Sequence, residues 1–383
     1  MDIFAHGRYN AAMEHAEQKR IHLRDLAPAR LIVTLLALLT VAAVYARKGD
    51  GEAMARLCAA VTRPFHDFMS QLCAHVPFSV AELVWAGAVG FVAVYIIYTI
   101  VGLIRSSHRL RRVYTSLLTL TMAASLFWAG FMVLWTPCYY APTFSQRSGV
   151  EAAPVSAEDL AAVTRYFARE ANKAAAHVQR DERDIFTADR EDILDRAAGV
   201  YGGVEELWPF LTSAPLRPKG IVCSKVMSLL DFTGFFFPMT GEANVNMDSP
   251  AVMLPATAEH EISHQRGVAS EQECNFLAVT ACMSSQDADF RYSGALLAYI
   301  YLGNALYSAD QAAWQSAYSL LSPRVRADLA DNSAYWQPYR DTVVKKASNT
   351  VYGSFLVDNG QELGLKSYGA CVDLLVSYYQ DMA

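Results

Sequence analysis

The chain has no basic surplus. Lys and Arg number 32 against 38 Asp and Glu in 383 residues, a formal net charge of −6. Nothing is left over to neutralise a phosphate backbone, which argues against a nucleic-acid partner. Cysteine is also scarce: seven in a chain this long do not make a disulfide framework. None stands in a CxxC pair, which argues against a thiolate zinc knuckle. No internal repeat or low-complexity tract is visible. Charged residues make up only 18% of the chain and hydrophobic ones 53%, high for a soluble protein, and the length suits two or three units.

The apolar excess is localised in three runs, 31–46, 80–104 and 114–135, whose only charge is Glu82 near the edge of the second. A hydrocarbon core of about 30 Å needs roughly 20 apolar residues as helix, so three membrane spans are predicted. Residues 1–30 are mostly polar and no small-residue cleavage pattern follows Ala46, so the first run reads as a retained span rather than a signal peptide. Arg8, Lys19, Arg20, Arg24 and Arg30 precede the first span, and Arg105, Arg109, Arg111 and Arg112 separate the second from the third. The longer loop between the first two carries only Arg47, Lys48, Arg56 and Arg63. The positive-inside rule then puts the N-terminus and the 105–112 loop in the cytoplasm and everything after Trp135 outside it. In that outer loop Cys58 and Cys73 are candidates for a disulfide.

Residues 1–136 thus form a membrane domain and 137–383 an extracytoplasmic one, mainly α with a small β-sheet. Ser156 is expected to cap a helix running through Ala174, and Thr187 one running to Ala198. Residues 221–230 and 234–238 read as strands, and 243–246 as an exposed or edge strand. The apolar stretches 276–283 and 293–307 are too short for spans and read as core helices.

The chemistry lies in His260-Glu261-Ile262-Ser263-His264-Gln265-Arg266-Gly267. On a helix, residues four apart share a face, so His260 and His264 can offer imidazole nitrogens to one zinc ion, while Glu261 stands where a carboxylate can take a proton from the attacking water. A third ligand is needed, and Glu271-Gln272-Glu273-Cys274-Asn275 follows closely. Gly267 can end the helix in a left-handed conformation and turn the chain back. On a second helix capped by Ser270, Glu271 and Asn275 would share a face, giving a ligand and a partner that orients a histidine. Glu273 is the alternative ligand, expected instead to face solvent or a basic neighbour. Glu242 is a ligand only if Glu271 is not, and Cys274 is expected to pack. Asn244 and Asn246 are candidates for holding substrate backbone along a strand edge. Tyr292, Tyr299, Tyr301 and Arg291 are candidates for stabilising transition-state charge.

HExxH followed by Glu-x-x-x-Asn resembles the gluzincin metallopeptidases, with Glu271 as the implied zinc ligand and Asn275 as the implied partner of a zinc histidine. Asn stands where Asp is commoner, and the step from His264 to Glu271 is short. Gly234-Phe-Phe-Phe-Pro-Met-Thr-Gly-Glu-Ala-Asn-Val-Asn246 followed by the histidine motif resembles an uncharacterised bacterial membrane family, domain of unknown function 3810. The two resemblances imply a multi-pass cell-membrane protein carrying a zincin-like α+β metallopeptidase domain that hydrolyses peptide bonds with zinc. Its partners would be a peptide or protein substrate and the lipid bilayer. A catalytically silent zincin-like binding or sensor protein is the rival, as is a transporter or scaffold. The intact Glu261 speaks against the first, and the scarcity of polar residues in the spans against the second.

Overall fold

A computed structural model describes residues 27–359, 361 and 371–383. Arg8, Lys19, Arg20 and Arg24, on which the expected orientation partly rests, lie outside these residues. The chain divides into two compact units, one made of the residues up to Ala46 with 86–132, the other of 47–85 with 133–383. The segment 47–85, expected to belong with the membrane part, packs within the second unit.

The first unit contains three helices whose apolar side chains are largely exposed: α1 (Pro28–Arg47), the greater part of α2 (Val80–Arg105), and α3 (Arg109–Leu134). They match the three predicted runs. Among the described residues these are the helices long and apolar enough to cross a membrane.

The second unit is mainly helical around one small sheet. Ser156 caps α4 (Ala157–Ala175), its hydroxyl accepting the Asp159 N–H at 3.0 Å, as expected. Helix Arg190–Val200 is capped by Asp189 rather than Thr187. The Asp189 carboxylate takes the N–H groups of Glu191 and Asp192 at 2.9 and 3.2 Å, while the Thr187 N–H bonds Gln179. A carboxylate also suits the helix dipole better than a hydroxyl does.

The stretch 221–230, expected as one strand, holds only the end of β1 (Lys219–Ile221); Ser224–Leu230 is a helix. Its buried residues Ser224, Met227 and Ser228 recur at helical spacing, a period too short-lived to read in so brief a run. β2 (Gly234–Phe237) and β3 (Glu242–Asn246) complete a sheet of order β1-β3-β2, with β1 parallel and β2 antiparallel to β3. β3 is therefore the central strand and wholly buried, not the edge its alternation suggested.

The register assigns the two faces. Gly234 lies opposite Val245 and Phe236 opposite Ala243, so these four share one face; Phe235 opposite Asn244 and Phe237 opposite Glu242 share the other. The first face packs on α5 (Leu254–Gln265), which leads through a turn to α6 (Glu271–Ser284) and then α7 (Ala288–Ala309). α7 lies along α4 and across α6, burying Phe167, Phe276, Phe290, Leu296 and Leu302 completely. Each such side chain contributes about 1.5–3 kcal/mol. Both α6 and α7 are core helices, as their length implied.

Cys58 does not meet Cys73. Both are free, and the Cys58 sulfur lies 3.7 Å from that of Cys138, at the start of a π-helical segment, Cys58–Thr62.

Candidate metal centre

α5 starts with Pro255 in its first turn, where a fixed φ favours helix and the missing N–H costs nothing. It ends where Gly267 adopts φ +85°, with the Gly267 N–H on the His264 carbonyl at 2.9 Å and the Val268 N–H on that of Ser263 at 3.2 Å. A side chain is strained in that left-handed region, so glycine makes the turn. Ser270 occupies the cap position of α6, but its hydroxyl makes no capping bond.

This turn brings α6 back across α5. The His260 and His264 rings lie 4.9 Å apart, and Glu271 Oε2 stands 3.1 Å from His260 Nε2 and 3.6 Å from His264 Nε2. One ligand atom from each of the three residues falls within 4.8 Å of the others. The opposite ring nitrogens are fixed: His260 Nδ1–H donates to Asn275 Oδ1 at 2.9 Å, and His264 Nδ1–H to the Val268 carbonyl at 2.8 Å. Each histidine thus presents its Nε2 lone pair inward. Burial alone would push the Glu271 carboxyl up, but the facing His264 and His260 hold it well below the usual carboxylate range.

Glu261 is 3% exposed, and its Oε2 has no hydrogen-bond partner among the described residues. Burial raises its carboxyl to about 7, against the pull of His260 and His264. Gly234 of β2 stands over it: a Cβ there would come within 2.4 Å of Glu261 Oε1. Two histidine nitrogens and a Glu271 oxygen, converging beside a buried carboxylate with an unsatisfied oxygen, form a group that could hold a metal ion.

The other expected residues fall elsewhere. Glu273 is 3% exposed and faces neither solvent nor a base; its carboxylate accepts the N–H groups of Phe144 and Ser145 at 3.1 and 2.9 Å, capping helix Phe144–Ser148. Asn244 and Asn246 are fully buried and satisfied internally, Asn244 by Ser79, Phe235 and Glu242, Asn246 by Ser228, Phe232 and Asp248. Sitting on the central strand, they have no edge to offer a substrate. Glu242 lies on the face away from α5, where it serves the N-terminus of α2, and so is not a ligand. Tyr292 donates its hydroxyl to Asp328, and Arg291 pairs with Glu170 at 3.0 Å, away from the cluster. Cys274 lies behind the His264 ring, 3.3 Å from Nδ1, its thiol pushed to about 12 by burial.

Sequence reasoning missed Tyr352. Its hydroxyl donates to Glu271 Oε1 at 2.6 Å from α8 (Val343–Asp358), and Phe232 packs edge-on against its ring. Trp135 closes another side, its ring 5.9 Å from that of His264. Tyr139, one turn on, packs edge-on against Trp135, ring centroids 5.8 Å apart. No spacing rule links these aromatics to the histidine motif.

A mainly helical chain with three membrane-length helices and a buried His/Glu cluster is the class defined by fold and site. The chain belongs to the family described as Protein of unknown function (DUF3810), whose model matches residues 60–376. No curated protein and no solved structure matches it.

Proposed function

We propose that the chain is a membrane-anchored zinc metallopeptidase with a zincin-like second unit facing the extracytoplasmic side. The observation that carries this reading is the convergence of His260 Nε2, His264 Nε2 and a Glu271 oxygen within 4.8 Å, with both Nδ1 atoms already engaged and Glu261 alongside. Zinc held there would act as a Lewis acid and lower the pKa of a bound water to about 7. Glu261 accepts the proton as water adds to the scissile carbonyl carbon. It then passes that proton to the amide nitrogen as the C–N bond breaks. Asn275 and the Val268 carbonyl hold the histidines in the tautomer that this arrangement requires.

The purified protein should hold about one zinc per chain, and His260→Ala with His264→Ala should abolish it, because a catalytic zinc keeps about three protein ligands. Full occupancy in the double variant rules out the metal assignment. Glu261→Gln should retain zinc and fold and lose hydrolysis, since the amide keeps the shape but cannot take the proton. A fully active variant would remove Glu261 from the reaction.

A further inference from the structure

The sheet has two faces, and the one turned away from α5 is devoted to the first turn of α2. Glu242, 3% exposed, accepts the N–H groups of Val80 and Ala81 at 3.1 and 2.8 Å. Asn244 Oδ1 accepts the Ser79 hydroxyl at 2.6 Å, and the Trp85 ring lies 5.8 Å from Phe237. Glu82 reaches outward to the N–H groups of Val222 and Cys223 at 3.0 and 2.7 Å. Carboxylates at a helix N-terminus suit both its unsatisfied N–H groups and its dipole. The start of α2 is therefore pinned to the sheet in one register.

That start is also where the chain enters its apolar span. From Leu83 to Ile104 the helix carries no charged side chain over 22 residues. At 1.5 Å per residue this is about 33 Å, close to a hydrocarbon core of about 30 Å. Trp85 then sits at the depth indoles favour, the membrane–water interface. Val222, whose N–H is held by Glu82, is 81% exposed, an apolar side chain suited to lipid.

The opposite face of the sheet carries Gly234 against Glu261. Three residue steps along β2, about 10 Å, separate Gly234 at Glu261 from Phe237 at Trp85. The candidate catalytic carboxylate and the entry to the bilayer thus lie on the two faces of one sheet. A bond presented to Glu261 is within reach of the interface by about three to five extended residues.

We propose that the substrates of this site are bilayer-anchored polypeptides, cut in the extended segment just outside their own membrane span. This rests on the peptidase reading above and adds the substrate class. A polypeptide anchored in the same bilayer keeps that segment within reach of Glu261 and meets the enzyme in two dimensions, at a raised effective concentration. A soluble peptide has neither advantage.

The test uses the full chain, zinc-loaded and reconstituted in vesicles with single-span reporter libraries, and reads release of a terminal tag against a Glu261→Gln blank. In one library a randomised segment begins about three residues from the reporter's span; in the other it begins about forty residues out, behind a helical spacer. Glu261-dependent release should be about tenfold or more faster from the near library. Equal or faster release from the far library, or from the same segments without a span, overturns this inference and leaves the peptidase reading standing. No release above the blank from any library overturns the peptidase reading and this inference with it.

Discussion

Asn275 and Tyr352 act on the His/Glu cluster from outside it. Asn275 accepts the His260 Nδ1–H at 2.9 Å, and Tyr352 donates to the Glu271 oxygen that does not face the histidines, at 2.6 Å. Partners of this kind orient ligands, and losing one typically lowers metal affinity by about 10–100-fold. Asn275→Ala should weaken zinc binding by that order in competition with a chelator. Asn275→Asp keeps the acceptor and adds charge, and should restore or tighten it; an Asp variant as weak as the Ala variant would show that this bond does not orient His260. Tyr352→Phe should cost about tenfold with the helix content unchanged by circular dichroism. Glu273 provides the contrast. Since it caps helix Phe144–Ser148 through two N–H groups, Glu273→Ala should lower unfolding stability by about 1–2 kcal/mol and leave zinc stoichiometry intact. Loss of zinc instead would restore Glu273 as a ligand.

At the scale of elements, β2 and α5 approach so closely at Gly234 that the crossing itself needs a residue without a side chain. The Cβ of an alanine would stand 2.4 Å from the Glu261 carboxylate, so Gly234→Ala displaces either the strand or the carboxylate, at about 1–3 kcal/mol. The variant should retain bound zinc, because the clash falls on the Glu261 side chain and not on those of His260, His264 or Glu271. Its Glu261-dependent hydrolysis should fall by about tenfold or more, as the reacting carboxylate loses its position. Unchanged turnover would mean that Glu261 works from a different rotamer.

For the whole molecule, pH and sidedness give the checks. His66 is buried against Phe236 and Trp135, ring centroids 5.0 and 6.2 Å away, and burial lowers its imidazole from 6.5 to about 4, with Asp67 pulling the other way. The unfolded chain takes up this proton near pH 6.5 and the folded one only near pH 4. Stability from this group is therefore fully present above the first value and is lost as pH falls toward the second. The gap corresponds to roughly 3 kcal/mol. Unfolding midpoints in detergent should decline through this window, and His66→Phe should decline less; parallel curves would exclude His66 as a source of acid lability. Cys223 is the exposed cysteine among the described residues. A membrane-impermeant maleimide should label it in intact cells, and labelling only after lysis would place the second unit in the cytoplasm.

What could be read from the chain alone is what depends on nearby residues. Three helices long and apolar enough to cross a membrane follow from the length and composition of apolar runs. The histidine face follows from a four-residue step on a helix, the turn from Gly267, and the pairing of Glu271 with Asn275 from the same step on the next helix. These relations are set within one or two turns of backbone and survive whatever else packs around them. Asn244 and Asn246 were misjudged because alternation reports a strand's two faces without reporting its neighbours; only pairing with β1 and β2 makes β3 central and leaves those amides internal. Glu273 was expected outside because rotation on a helix gives direction and not surroundings, and the surroundings turned out to be another helix's N-terminus. Tyr352 meets Glu271 across 81 positions, and the tie between Glu242 and α2 spans more still. Contacts at such separations are selected by the packing of the whole unit, so tertiary structure alone decided which aromatic flanks the cluster and which sheet face meets the start of α2.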